Sequence, residues 1–204
     1  MSSPSWVRIL LLLVAVTLSA PAVAAEADGT VKGFNDQLLA VMKAGPKLGF
    51  KGRFEKFRTV VSDSYDLTTI TKSMLGTVSV AKLTPDELSR LVAVYADFSA
   101  ATYASQFEAW DGEAFELGET RPHPTTAGAV VVQSWIVPKS GNATQIDYVL
   151  RPDQGRWRII DVLFEGTVSQ VAVRRSEFGA IFRDKGLAGL IEVIQGKTAA
   201  MEKK

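Results

Sequence analysis

The feature that most constrains this chain is a change of hydrophobic period at Asp111-Gly112. Before that point apolar residues recur every three to four positions, as on one face of a helix. After it they alternate, as on one face of a strand. Each half therefore has one apolar side to hide, and hiding it against the other half gives an α+β fold.

Turn chemistry divides the second half into strands. Phe115 and Leu117 alternate in a first run. Ala129 to Val137 forms a second, with Val130, Val132, Ser134 and Ile136 facing one way and Val131, Gln133, Trp135 and Val137 the other. Lys139-Ser140-Gly141-Asn142 and Pro152-Asp153-Gln154-Gly155 bracket a third strand, Thr144 to Arg151, and Arg156 to Glu165 makes a fourth. Turns this short join antiparallel neighbours, so the expectation is a four-stranded antiparallel meander.

The first half reads as helices. Thr30 is expected to cap a stripe of Val31, Phe34, Leu38 and Val41 that stops at Gly45-Pro46. Phe54, Phe57 and Val61 form a second stripe, with Lys51, Arg53, Lys56 and Arg58 off its face. Asp66 is placed to cap a short helix of Leu67, Ile70 and Met74 before Gly76. Thr84-Pro85-Asp86-Glu87 carries a capping box with proline at the permissive first position. It opens a helix to about Trp110 on which Leu88, Leu91, Val92, Tyr95, Phe98 and Thr102 share a side. Beyond the sheet, Arg175, Phe178 and Phe182, then Leu187, Leu190, Ile191 and Ile194, give two C-terminal helices parted at Gly186.

The N-terminus sets a compartment. Trp6 to Ala20 is apolar apart from Arg8, Thr17 and Ser19, and Ala22-Val23-Ala24 is a small-x-small cleavage site. Residues 1–24 read as a secretory signal peptide and 25–204 as one domain. Val7 to Ala20 falls short of the roughly 20 residues a membrane span requires. The chain has no cysteine, which excludes lipid acylation at the cleavage point and disulfides alike. Losing Arg8 with the leader takes one from the 23 basic residues and levels them with the 22 acidic ones. That balance argues against a nucleic-acid binder.

Catalytic chemistry is sparse. The single histidine, His123, lies between prolines in Arg121-Pro122-His123-Pro124 and reads as a loop residue, because a metal site takes three or four protein ligands. No serine has an adjacent histidine to activate it, and no glycine-rich phosphate loop is present. Asp161 and Glu165 read as a strand-end acid and a turn acid rather than a catalytic pair. In strand alternation Asp161 shares a face with Trp157, Ile159 and Leu163. A carboxylate so placed needs a partner, for which Arg174 or Arg175 is expected, as a clamp between sheet and helix. No enzyme, metal or cofactor is expected. Two rival readings are an exported enzyme of the cyclase or dehydratase type, with polar groups at the base of its cavity, and a non-binding accessory subunit with a filled core.

One segment is more specific. In Arg156 to Ile191, the residues Trp157, Asp161, Val162, Glu165, Gly166, Ser169, Phe178, Gly186 and Leu190 resemble the closing signature of the toluene-tolerance/MlaC family, and a diffuse likeness runs from about Val31 to Lys197. The doubled arginine in RRSEF and the extra residue in EGTVS lean toward the hopanoid-associated HpnM branch. The resemblance implies an NTF2-like cone with an internal apolar cavity. It implies a monomeric periplasmic carrier that takes the apolar part of a phospholipid or hopanoid from one membrane-bound partner to another: an inner-membrane ABC-type lipid transporter and an outer-membrane partner. On that reading Phe54, Phe57, Leu67, Ile70, Met74, Leu91, Tyr95, Phe98, Val130, Val132, Tyr148, Trp157 and Ile159 are expected at the cavity. Lys51, Arg53, Lys56, Arg58, Arg174, Arg175 and Arg183 are expected to form a docking patch.

Overall fold

The computed structural model describes residues 20–203. The leader expected over residues 1–24 lies outside them apart from Ala20–Ala24, which continue into the first helix. The elements run α1 (Ala20–Ser64), α2 (Leu67–Leu75), α3 (Thr77–Val80), α4 (Pro85–Gln106), β1 (Ala114–Pro122), β2 (Val130–Val137), β3 (Thr144–Asp153), β4 (Arg156–Phe164), β5 (Val168–Ser169) and α5 (Gln170–Glu202). All strands join one antiparallel sheet in sequence order, so the α+β meander is present. It has five strands where the sequence reading gives four. The fifth spans two residues, paired with Leu163 and Phe164, and is too short to carry a periodic signal.

Local signals at helix ends are obeyed where the cap itself carries them. Asp66 accepts from the Thr69 N–H at 2.8 Å and opens α2. Thr84 and Glu87 close the reciprocal capping box of α4, which ends at Gln106 rather than Trp110. Gly186 interrupts α5 at φ 66°, ψ −169°, a conformation open essentially to glycine, and so divides the C-terminal helix as expected.

α1 departs from expectation. Thr30 is no cap: it lies inside the helix, where its hydroxyl donates to the carbonyls of Glu26 and Trp157 at 3.3 Å. The helix also passes Gly45-Pro46 and breaks at Gly49 (φ 60°, ψ −179°). Gly45 serves close approach instead, since a Cβ there would stand 2.0 Å from the backbone oxygen of Glu108. A kink frees carbonyls from the helical ladder, and Arg53 takes up that of Gly45. Its guanidinium donates to Gly45 O at 3.4 Å and to Ala104 O at 2.9 Å, with Glu108 at 4.0 Å. Arg53 is thus a buried brace between α1 and the end of α4, not a surface charge; it is only 7% exposed.

The core lies between the helices and the inner face of the sheet. Val31, Phe34, Leu38 and Val41 of α1, Leu91 and Phe98 of α4, and Phe178 of α5 pack with Val130, Val132, Tyr148, Leu150 and Ile159. A small cluster of Ala129, Val131 and Val149, with Ile160 and Leu163, covers the outer face. Val149 and Leu150 pair with Asp161 and Ile159, so β4 holds one extra residue at Ile160. This bulge resets the alternation. Val162 joins Trp157 and Ile159 on the helix side, while Leu163, expected there, packs on the outer face.

Candidate functional site

Between the ends of the strands and the helices lies a cavity of about 560 Å³. The sheet contributes Ile136, Thr144, Ile146, Tyr148, Asp161, Val162 and Phe164, and α4 with its cap contributes Tyr95, Phe98, Ser99, Thr102, Tyr103, Gln106 and Phe107. Tyr65 and Ile70 close one end, and Gln170, Val171 and Arg174 of α5 form the remaining side. Burial gives the cavity a direction. Tyr65, Ile70, Tyr95, Phe98 and Tyr148 are buried and form a floor, whereas Gln106 and Phe164 are exposed at the mouth.

All four tyrosines of the chain face this one space. Phe34 backs the floor, its ring 5.5 Å from Tyr65, 5.5 Å from Tyr103 and 5.7 Å from Tyr148, each in edge-on geometry. The Tyr65 and Tyr103 hydroxyls bond each other, and Tyr148 donates to Asn35 Oδ1 at 3.3 Å. Asn35 in turn donates to the Ser134 hydroxyl at 3.2 Å, tying α1 to β2. Burial holds the Tyr65 and Tyr148 hydroxyls well above the ordinary value of 10.0, raises Tyr95, and pushes Tyr103 up to about 12.

These shifts have a signed consequence. Above about pH 10 an unfolded tyrosine releases its proton while the native one keeps it, so the unfolded chain gains stability and the fold loses it. The folded state is therefore expected to hold its full stability up to about pH 10 and to weaken as pH rises through the native values. Tyrosinate absorbance followed alongside circular dichroism checks this. Ionisation at pH 10 with native dichroism intact would contradict it.

Two lining residues carry charge, Asp161 and Arg174. Asp161 is a clamp between sheet and helix, but its partner is not an arginine. It accepts from the N–H groups of Val162 at 2.7 Å and Val171 at 3.0 Å and from the Ser169 hydroxyl. One N–H of the first turn of α5, the hydroxyl that caps that helix and the N–H of the next strand residue fill the carboxylate in place of a side-chain cation. Arg174 lies instead over the rings of Phe98 and Phe178, 5.0 and 5.8 Å from their centroids. It pairs with Glu177 at 3.2 Å, which also takes Lys197 at 2.7 Å, and these cations hold the Glu177 carboxyl below its usual range despite partial burial. Glu165 is an exposed turn residue. His123 Nδ1 accepts from the backbone of Thr125 at 3.3 Å and Thr126 at 3.0 Å and so holds the turn before β2. Among the described residues no cluster of His, Cys, Asp or Glu is placed to hold a metal.

The description MlaC protein fits residues 32–196, well over half of the chain, when the sequence is compared with known families. The chain belongs to the MlaC family. Its fold is also that of a phospholipid-binding protein from Ralstonia solanacearum, solved in complex with a phospholipid. The two superpose with a TM-score of 0.74 at 19% identity, over 86% of this chain and 98% of the other.

Of the thirteen residues expected at the cavity of this MlaC chain, Ile70, Tyr95, Phe98 and Tyr148 line it. Phe57, Met74, Leu91, Val130, Val132 and Ile159 lie buried in the core, and Leu67 and Trp157 pack against it half-buried. Phe54 lines a separate groove of about 390 Å³ beside Phe50, Val94 and Gln195. Alternation reaches two residues the reading omits, Ile136 on the face of Val132 and Ile146 on the face of Tyr148. The bulge conceals Val162 and Phe164. Tyr65 and Tyr103 carry no sequence signal as a pair, because 38 positions separate them.

The basic residues do not form one patch. Arg53 is the buried brace described above, and Arg174 belongs to the cavity wall. Arg58 pairs with Asp97 at 2.9 Å and Glu55 at 3.7 Å. Lys51, Lys56, Arg175 and Arg183 are exposed.

Proposed function

We propose that this chain is a periplasmic lipid carrier, exported by cleavage of residues 1–24 and folded as one domain over 25–204, that holds the apolar part of a lipid in the 560 Å³ cavity. The cavity is the observation that carries this reading. This volume lies within the roughly 300–1,000 Å³ of small-molecule sites and has room for much of one long acyl chain or for a compact hydrocarbon skeleton. Such a chain loses on the order of 10 kcal/mol on meeting water, at about 0.8 kcal/mol per methylene. A protein that replaces most of those contacts makes removal from a bilayer a near-balanced exchange. Direction then comes from partners, for which an inner-membrane ABC-type lipid transporter and an outer-membrane acceptor are the candidates. The exposed Lys51, Lys56, Arg175 and Arg183 are the residues assigned to meeting them.

The site favours binding over catalysis. Asp161 is spent on the start of α5 and Arg174 on Glu177, which leaves the cavity without a free acid–base pair. An open cavity also differs from the filled core of a purely structural subunit. Phospholipid is supported as cargo by what the Ralstonia protein holds. Hopanoid is supported by the RRSEF and EGTVS features of the HpnM branch.

Lipid extraction and mass spectrometry of the protein purified from its own periplasm tests the proposal. About one lipid per protein is expected, on a chain starting near Ala25 in the soluble fraction. Lipid-free protein, or a chain retaining residues 1–24 in the membrane pellet, would overturn it.

A further inference from the structure

Polar groups line the cavity at both depths: Gln106, Thr144, Asp161, Gln170 and Arg174 on its exposed and half-buried side, and Tyr65, Tyr95 and Tyr148 among its buried residues. An acyl chain entering tail first therefore meets tyrosines at a buried wall where a purely apolar site would present hydrocarbon alone.

Tyr148 donates its proton to Asn35, so that hydroxyl is spent. Tyr65 and Tyr103 bond each other and, among the described residues, nothing else through their hydroxyls. Two hydroxyls hold two protons but share one hydrogen bond. Whichever oxygen donates, the other keeps an O–H with no protein acceptor. A phenol is protonated at neutral pH and burial raises both groups further, so the donor is permanent. Leaving a buried donor unpaired is unfavourable, and an oxygen on the ligand removes that penalty.

We propose that the Tyr65–Tyr103 pair is a selectivity element that takes a hydrogen-bond acceptor on the buried part of the lipid, so that the preferred cargo is an oxygen-bearing chain or skeleton with a carbonyl, ether or hydroxyl within the hydrocarbon. This rests on the carrier reading and refines it. The oxygen loses water on entering, and the tyrosine donor restores one hydrogen bond. A saturated chain gains nothing from the donor and leaves it unpaired.

The test compares stearate with a set of ketostearates whose carbonyl is walked along the chain, in the wild type, Tyr65→Phe, Tyr103→Phe and the double variant. Either single variant leaves one hydroxyl whose proton is free, so each is expected to keep the wild-type ratio of keto to saturated affinity at the best carbonyl position. The double variant has no donor there, and its ratio is expected to fall about three- to tenfold, the worth of one neutral hydrogen bond. A purely structural role would weaken both probes alike and leave the ratio unchanged, which overturns the proposal. Infrared spectroscopy of a carbonyl-labelled ketostearate in the wild type supplies a mutation-free readout. A C=O stretch lowered from its value in hydrocarbon solvent supports the hydrogen bond, and an unshifted stretch at every position contradicts it. If stearate and all ketostearates fail to bind the wild type, the proposed recognition of an oxygen-bearing chain falls, a result distinct from failure of the carrier reading, which lipid-free protein from the periplasm would show.

Discussion

Ile146→Asp is expected to weaken lipid binding by two orders of magnitude or more while leaving the fold intact. Ile146 lines the cavity on the inner face of β3, opposite Phe164, and is only half-buried. In the empty protein a carboxylate at this position reaches water through the mouth. Once a hydrocarbon chain occupies the cavity, that water is displaced and the charge has no partner, because Arg174 already holds Glu177. Stranding an ion in this way costs at least several kcal/mol, and about 1.4 kcal/mol is a factor of ten in affinity. Ile146→Asn, polar but uncharged, should lose less, and thermal unfolding of both empty variants should stay near that of the wild type. Titration with a fluorescent acyl probe measures the effect. Wild-type affinity in Ile146→Asp would remove the chain from this cavity.

Arg53→Glu is expected to destabilise the protein by about 3–5 kcal/mol, a large share of the roughly 5–15 kcal/mol that holds a typical domain folded. The substitution removes the donor to the Gly45 and Ala104 carbonyls and sets a buried negative charge against them, with Glu108 close by. Lys56→Glu, three positions on and exposed, should change stability by no more than about 0.5 kcal/mol. Urea unfolding of the pair separates a brace from a surface charge. Equal stability of the two variants would mean that the Arg53 guanidinium is solvated. The same contrast makes Arg53 unsuitable as a probe of docking, since its replacement would disturb α1 before it touched any partner.

How much of this was legible in the sequence depended on how local the cause was. The caps of α2 and α4, the break at Gly186 and the turns that part β2, β3 and β4 each depend on residues within a few positions, and they are legible as patterns. Gly45 and Arg53 answer to Glu108 and Ala104, more than 50 positions away, so a glycine read as a helix stop is a point of backbone contact. The cavity is harder for a further reason. A side chain facing a void and one facing another side chain obey the same apolar period, so Val132 and Tyr148 look alike until the strands are assembled. The bulge at Ile160 then moves Val162 and Phe164 inward, where simple alternation expects Leu163. Asp161 ties sheet to helix as its place on the strand suggests, but a helix N–H and a cap hydroxyl carry no sequence signature as its partners, and an arginine is the visible alternative.

The most direct measurement uses a lipid bearing a photoactivatable group on its acyl chain, bound to the purified protein, irradiated, digested and mapped by mass spectrometry. Labelling is predicted on the segments that carry Tyr65, Ile70, Phe98, Ile146 and Tyr148, and it should be lost in Ile146→Asp. Labels confined to the outer-face residues Val131 and Val149, or to the groove at Phe50 and Gln195, would contradict binding in the cavity.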